Sequence, residues 1–196
     1  MKYLYLCCLL FPLVFLFQGC SSDDDIDDPN TSEYYFRFKV DGVQIDYEYT
    51  PDSQINLTGI YDKDENTGIY AINIAGIKNI FESGTNTLTI FVSDTLGIST
   101  GVTYSNIPGE RVDFPDFAFL LGYQSSEGNS YIASGAGIYP LHGLYDPAYV
   151  EFSEIADTYI SGTFSGTLLW YDSSGGTNEL VDSVVVSEGE FKVPRY

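Results

Sequence analysis

The segment Gly97-Ile98-Ser99-Thr100-Gly101 has the G-x-S-x-G spacing of a nucleophilic serine held on a strand–turn–helix. The single histidine, His142, together with Asp113 or Asp116, would complete a Ser…Asp…His set in chain order. No helical pattern follows Ser99, and glycine and serine are common in β loops. We therefore expect no catalytic residues, and keep a secreted hydrolase that cleaves glycans or esters as the alternative.

Asp62, Asp64 and Asn66 alternate in a way that resembles the start of a calcium loop. An EF-hand loop needs glycine at its sixth position and glutamate at its twelfth, but Gly68 is seventh and Asn73 is twelfth. An ordinary polar turn is favoured, and calcium binding stays open. The 28 acidic residues guarantee chance carboxylate pairs in any fold, so their number does not indicate a glycosidase. No His/Cys cluster could ligate zinc, and we expect no metal site and no cofactor.

A long aromatic stretch around Tyr139, His142 and Tyr145 is the candidate ligand loop. Loops of this length often carry binding function when a rigid sheet presents them. Stacked tyrosines would suit a sugar or a peptide. The alternative is that these aromatic residues cap one end of the fold.

The elements that must position these residues are β-strands. Asp41-Gly42, flanked by alternating apolar residues, predicts a two-residue type I′ hairpin of Tyr34–Val40 with Val43–Tyr49. Counting from the turn pairs Val40 with Val43, Phe38 with Ile45, Phe36 with Tyr47 and Tyr34 with Tyr49. The same count places Arg37 opposite Asp46, which predicts a cross-strand ion pair.

Further alternating runs follow, and no helical period stands out. The later strands are expected at 54–61, 69–75, 86–94, 102–104, 117–124, 130–134, 149–155, 158–171, 180–187 and 190–193. Gly162 and Gly166, on the apolar face of the longest strand, predict a bend or the close approach of an aromatic ring, and Gly189 predicts a bulge. The prediction is an all-β fold, an antiparallel β-sandwich of about ten strands, with a partly open β-barrel as the alternative. It occupies residues 34–196 as a single domain.

The beginning of the chain has a different character. Lys2 precedes an apolar run over 3–17, which is shorter than the roughly 20 residues of a membrane-spanning helix. Gly19-Cys20 then precedes an acidic stretch, Ser22–Asp28. These features predict a signal peptide at 1–19, with Cys20 and an acidic tether at 20–33.

Gly19-Cys20 resembles the lipobox of bacterial lipoproteins, and the serine and aspartates after it resemble the surface-export signal of Bacteroidetes-type lipoproteins. The segments 160–168 and 187–193 are similar to those of small β-rich lipoproteins of that group, whose function is unassigned. The resemblance implies acyl chains on Cys20 and an outer-membrane location. Display on the cell exterior is expected, with a periplasm-facing anchor as the alternative.

Charge and cysteine content narrow the function further. The formal charge is −20, and removal of residues 1–19 takes away only Lys2, which leaves −21. Such a charge disfavours nucleic acid as a partner. Cys7 and Cys8 lie in the signal peptide, so the mature chain keeps only Cys20 and can form no internal disulfide.

Together these features predict a non-catalytic binding or accessory module held at the outer membrane by lipid on Cys20. Its expected partners, besides the membrane itself, are a glycan, a peptide or an outer-membrane protein. A structural or adhesive surface protein is a further alternative.

Overall fold

The computed structural model describes residues 32–82, 84–107, 117–135, 147–172, 174–176 and 179–196. These residues belong to one compact unit, Ser32–Tyr196. They form eleven strands and no helix. The strands are β1 (Tyr35–Val40), β2 (Val43–Glu48), β3 (Leu57–Lys63), β4 (Tyr70–Ile77), β5 (Thr87–Asp94), β6 (Thr103–Ser105), β7 (Phe117–Gln124), β8 (Ser130–Ser134), β9 (Ala148–Ile155), β10 (Tyr159–Asp172) and β11 (Glu179–Pro194). Within this part of the chain, no helix could cross a membrane.

All eleven strands join one antiparallel sheet, and nine of them follow one another in the order β2-β1-β11-β10-β8-β7-β5-β4-β3. Strand β9 pairs with β10, and β6 pairs with β9. The sheet curls until β3 meets the end of β11, where Gly59 bridges Arg195 and the Tyr196 N–H donates to the Gly59 carbonyl at 3.0 Å. The all-β prediction is confirmed. The nearly closed single sheet fits the partly open barrel rather than two packed sheets.

The first hairpin has the predicted turn and register. Asp41 and Gly42 have φ angles of 49° and 81°, as a type I′ turn requires. The ladder pairs Val40 with Val43, Phe38 with Ile45 and Phe36 with Tyr47. Beyond the last paired residues, the rings of Tyr34 and Tyr49 still meet edge to face, with centroids 5.2 Å apart.

The predicted ion pair within this hairpin is wrong. Arg37 does lie opposite Asp46 in the register, but its guanidinium pairs with Glu190 of β11, with Nε 3.4 Å from Oε1. Asp46 instead accepts a hydrogen bond from the Gln44 side chain at 3.1 Å. The reason is topological: β1 lies between β2 and β11, so Arg37 has a neighbour on each side.

Aromatic rings fill the interior of the curled sheet. Phe36 lies at the centre, with its ring centroid 5.4 Å from Phe164, 5.7 Å from Phe191 and 6.2 Å from both Phe38 and Tyr47. All five side chains are buried. Buried aromatic pairs of this geometry each add about 0.5–1.5 kcal/mol beyond the burial of their area.

The close approach of an aromatic ring that the sequence predicted is confirmed at Gly162, whereas the close neighbour of Gly166 is Ala148. A Cβ at Gly162 would lie 2.9 Å from the Phe191 ring, and one at Gly166 would lie 2.6 Å from Ala148 Cα. Only a residue without a side chain lets neighbouring groups pack this tightly against the strand.

The predicted bulge is also present, although β11 is one strand where the sequence suggested two. Between the pairs Phe164–Gly189 and Gly166–Val186, β11 uses one more residue than β10. The extra residue is accommodated at Glu188, whose φ is 50°. The left-handed residue is therefore the one before Gly189.

Asn56, which the sequence assigned to a strand, instead ties two strand ends together. Its buried side-chain amide donates to the carbonyls of Glu48, at 2.7 Å, and Ile77, at 3.2 Å, and its oxygen accepts from the Thr50 N–H at 3.2 Å. These bonds explain why β3 begins at Leu57 and not at Gln54.

Candidate functional site

Several predicted site residues lie outside the described residues. They are Cys20 with the whole of 1–31, the candidate loop residues Tyr139, His142 and Tyr145, and the acids Asp113 and Asp116. The anchor and the aromatic loop therefore stay predictions.

Ser99 lies in a loop between β5 and β6. Its backbone N–H donates to the Tyr104 hydroxyl at 2.8 Å, and the flanking Gly97 and Gly101 have φ angles of 92° and 69°. The segment leads from one strand directly to the next. The strand–turn–helix geometry that exposes a catalytic serine is not formed there.

The acidic turn between β3 and β4 uses its carboxylates for backbone contacts. Asp64 Oδ1 accepts the N–H groups of Asn66, at 2.8 Å, and Thr67, at 3.2 Å, and these hydrogen bonds lower the pKa of Asp64. Asp62 Oδ1 accepts the Lys63 N–H at 2.7 Å. In the described part of the chain, no three His, Cys, Asp or Glu side chains are placed to hold a metal ion. The geometry is that of a polar turn.

A groove of about 600 Å³ lies on the outer face of the sheet. We call it the outer groove. Residues of β1, β2, β6, β9, β10 and β11 form it, so the first hairpin, the short strand β6 and the last three strands all contribute. The lining residues are Arg37, Gln44, Thr103, Tyr149, Val150, Glu151, Thr163, Phe164, Ser165, Glu188, Gly189 and Glu190.

Five of these residues stand in one straight line across the strands, because they are register partners. The ladders pair Thr103 with Glu151, Glu151 with Thr163, Thr163 with Glu190 and Glu190 with Arg37. We call this line the polar row. Neighbouring strands are about 4.8 Å apart, so the row is about 19 Å long.

Side-chain contacts hold the polar row in place. Besides pairing with Glu190, Arg37 lies over the ring of Tyr35, with Cζ 4.2 Å from the centroid. The Thr103 hydroxyl donates to Glu151 Oε2 at 3.3 Å. The side chains of Arg37 and Glu190 are 47% and 45% exposed, so their ion pair adds little to stability but orients both groups.

The bulge of β11 adds a third carboxylate to the outer groove. Glu188, on the extra residue, accepts a hydrogen bond from Lys39 Nζ at 2.6 Å. The chain irregularity thus turns an additional glutamate toward the polar row, as bulges beside functional sites commonly do.

One aromatic ring lies beside the polar row. Tyr149 of β9 is 40% exposed and is paired with Ser165 of β10 and Ser105 of β6. An exposed tyrosine among hydroxyl groups offers both a flat apolar face and a polar tip.

No protein-family model, curated protein or solved structure significantly matches the chain. Function must therefore be argued from the geometry of the outer groove and from the sequence.

The sequence reasoning missed this groove. The alternation in β10 did place Ser161, Thr163 and Ser165 on its polar face, which is the face the outer groove uses. What was lacking was the strand order. The pairs β1–β11 and β6–β9 join segments far apart in the chain, and no local pattern indicates them.

Proposed function

We propose that the protein is a lipid-anchored cell-envelope lipoprotein whose barrel-like domain is a non-catalytic binding module. Cys20 carries the acyl chains, the acidic stretch after it extends as a tether, and the domain faces the cell exterior. The observation that carries the binding role is the outer groove, a concave surface with convergent polar groups and an exposed ring. Such surfaces are typical of ligand sites.

The contacts of the groove carboxylates support binding over catalysis. Glu190 and Glu188 pair with Arg37 and Lys39, and Glu151 accepts the Thr103 hydroxyl. Each of the three carboxylates is thus already engaged by a neighbouring side chain. A hydrolase remains the second candidate, because glycoside hydrolysis needs two acidic groups on one cleft and three line this one.

The anchor is tested by metabolic labelling of intact bacteria with an alkyne fatty acid. The full chain should be labelled and should partition with detergent, because two or more acyl chains give durable membrane attachment. Cys20→Ala should abolish the label, and the double variant Cys7→Ala/Cys8→Ala should keep it. Label that survives in Cys20→Ala, or that disappears in the double variant, would refute the anchor.

Display on the exterior is tested by protease treatment of intact cells of a Bacteroidetes-type host. The domain should be cleaved in the wild type and protected when Asp23, Asp24 and Asp25 are all replaced by Asn, with fatty-acid labelling unchanged. A protected wild-type domain would instead indicate the periplasm-facing anchor.

A further inference from the structure

We propose that the outer groove binds an uncharged oligosaccharide, laid across the strands along the polar row. This inference rests on the proposed binding function and names its ligand class. The ligand contacts come from Glu151, Thr163, Glu190 and Arg37 in the row, with Tyr149 beside it.

The hydrogen-bonding groups of the row suit hydroxyl groups. Carboxylates only accept, a guanidinium only donates, and threonine hydroxyls do both. These kinds of group are interspersed along a line of about 19 Å, given the 4.8 Å strand spacing. A ligand rich in hydroxyls, each both donor and acceptor, can satisfy all of them along its length. A ligand with only acceptors or only donors cannot.

The charges of the groove disfavour anions. Three glutamates and one arginine line it, which gives a formal charge of −2. The mature chain as a whole, these four residues included, carries −21. A phosphorylated, sulfated or uronic-acid ligand would meet repulsion both at the site and on approach.

The charges of the groove do not favour a cationic ligand either. Two of the three carboxylates already have cationic partners, Glu190 with Arg37 at 3.4 Å and Glu188 with Lys39 at 2.6 Å. A basic peptide would have to displace these cations or rely on Glu151 alone. A neutral ligand leaves both pairs intact and uses their free lone pairs.

Tyr149 supplies the apolar contact. Its ring is 40% exposed, lies on the same outer face and is flanked by Ser105 and Ser165. The C–H face of a sugar ring can pack on such an aromatic surface while its hydroxyls reach the polar row. The groove volume of about 600 Å³ falls within the roughly 300–1,000 Å³ of ligand sites.

The experiment is calorimetric titration of the full chain, purified from membranes in detergent. The probes are cellohexaose, xylohexaose, maltohexaose and mannohexaose, with oligogalacturonate as an anionic probe and oligolysine as a cationic one. We expect one neutral oligosaccharide to bind with an affinity that changes little between low and high salt. Both charged probes should fail to bind.

Variants locate the site. Tyr149→Ala should weaken binding about tenfold, or about 1.4 kcal/mol, because it removes the apolar surface on which a sugar ring packs. Tyr149→Phe should keep most of the affinity. The matched control is Phe81→Ala, which removes a 78%-exposed ring that does not line the groove and should change nothing. Equal circular dichroism spectra verify that each variant is folded.

Each other outcome has a distinct meaning. Salt-sensitive binding of oligolysine alone would overturn the ligand class but keep the binding function, and neutral-sugar binding unaffected by Tyr149→Ala would overturn the site. No binding of any probe would overturn the inference, while leaving the Cys20 labelling result unaffected. Release of new reducing ends from a probe, lost in Glu151→Gln, would overturn the non-catalytic function itself.

Discussion

The ring of Phe164 lies directly on the backbone of Gly189, its register partner across β10 and β11. A Cβ at Gly189 would lie 2.7 Å from both Cδ2 and Cε2 of that ring. The same glycine follows the bulge residue Glu188 and precedes Glu190, which both line the outer groove. Core packing on one face of β11 thus sets the position of two carboxylates on the other.

Gly189→Ala should therefore destabilise the protein and disturb the groove. Inserting a methyl group into a filled core typically costs about 1–3 kcal/mol. Urea denaturation should show that loss in the free energy of unfolding. The control is Gly122→Ala in β7, where the nearest atom would lie at an ordinary 3.5 Å. An equal effect of both substitutions would contradict the packing argument.

Asp41 caps an otherwise open edge of β11. Its Oδ1 accepts the Val185 N–H at 2.8 Å, and its own N–H donates to the Val185 carbonyl at 2.9 Å. Asp41→Ala should lower the free energy of unfolding by about 2 kcal/mol, because it removes one hydrogen bond and replaces a residue type that tolerates a positive φ with one that does not. Hydrogen exchange at the Val185 amide should accelerate.

Two further substitutions separate the contributions at Asp41. Asp41→Asn keeps an acceptor oxygen and tolerates the positive φ, so it should remain close to wild type. Asp41→Gly relieves the backbone but removes the acceptor. The glycine variant should therefore be more stable than the alanine variant. Hydrogen exchange at the Val185 amide should be equally fast in both. Slow exchange at that amide in the alanine variant would refute the cap.

Tyr47 has a buried hydroxyl with no hydrogen-bond partner among the described residues, and its side chain is 2% exposed. An unsatisfied buried polar group costs about 1–3 kcal/mol. Tyr47→Phe should raise the free energy of unfolding by about 1 kcal/mol. The control is Tyr104→Phe, which deletes a hydroxyl that accepts the Ser99 N–H and should lower it. Thermal denaturation distinguishes the two, and destabilisation by Tyr47→Phe would disprove this interpretation.

The contact between Tyr49, which follows β2, and Tyr196, which follows β11, should make the fold sensitive to alkali. The hydrogen bond with Tyr196, together with partial burial, raises the pKa of Tyr49 from 10.0 to about 12. The two hydroxyls are 3.3 Å apart. A pKa raised in the folded state means that stability is intact below pH 10 and decreases as the pH rises toward about 12.

Tyrosinate absorbance during a pH titration provides the measurement for this pair. Tyr196→Phe should lower the pKa of Tyr49, because its largest cause is removed. Tyr35→Phe, which changes a tyrosine outside this pair, should leave that transition in place. A Tyr49 titration that does not respond to Tyr196→Phe would contradict the assignment.

Local patterns in the sequence predicted local structure well. Asp41-Gly42 indicated a two-residue turn. The position and length of a hairpin turn fix every later cross-strand pair, including Phe36 with Tyr47. Gly162 likewise indicated an aromatic neighbour, which is Phe191. In both cases the residues that determine the local structure lie within the sequence segment from which it was predicted.

The candidate site was beyond such reasoning. The ion pair of Arg37 with Glu190 and the contact of Thr103 with Glu151 depend on which strands become neighbours. That choice is made by burial of the whole aromatic core, and many strand orders are compatible with the same alternation. The alternation within one strand therefore shows which of its residues face outward, but not which strands continue the polar row.

The contact between Lys39 and Glu188 joins residues 149 positions apart, and it lies where β1 meets β11. Folding that depends on such remote partners is slow, since the entropy of closing a large loop is lost before the contacts form. For the exported protein proposed here, slowness is an advantage. If the chain is exported as proposed, slow folding would keep it extended while it passes through a translocation channel, and the barrel-like fold would form only afterwards.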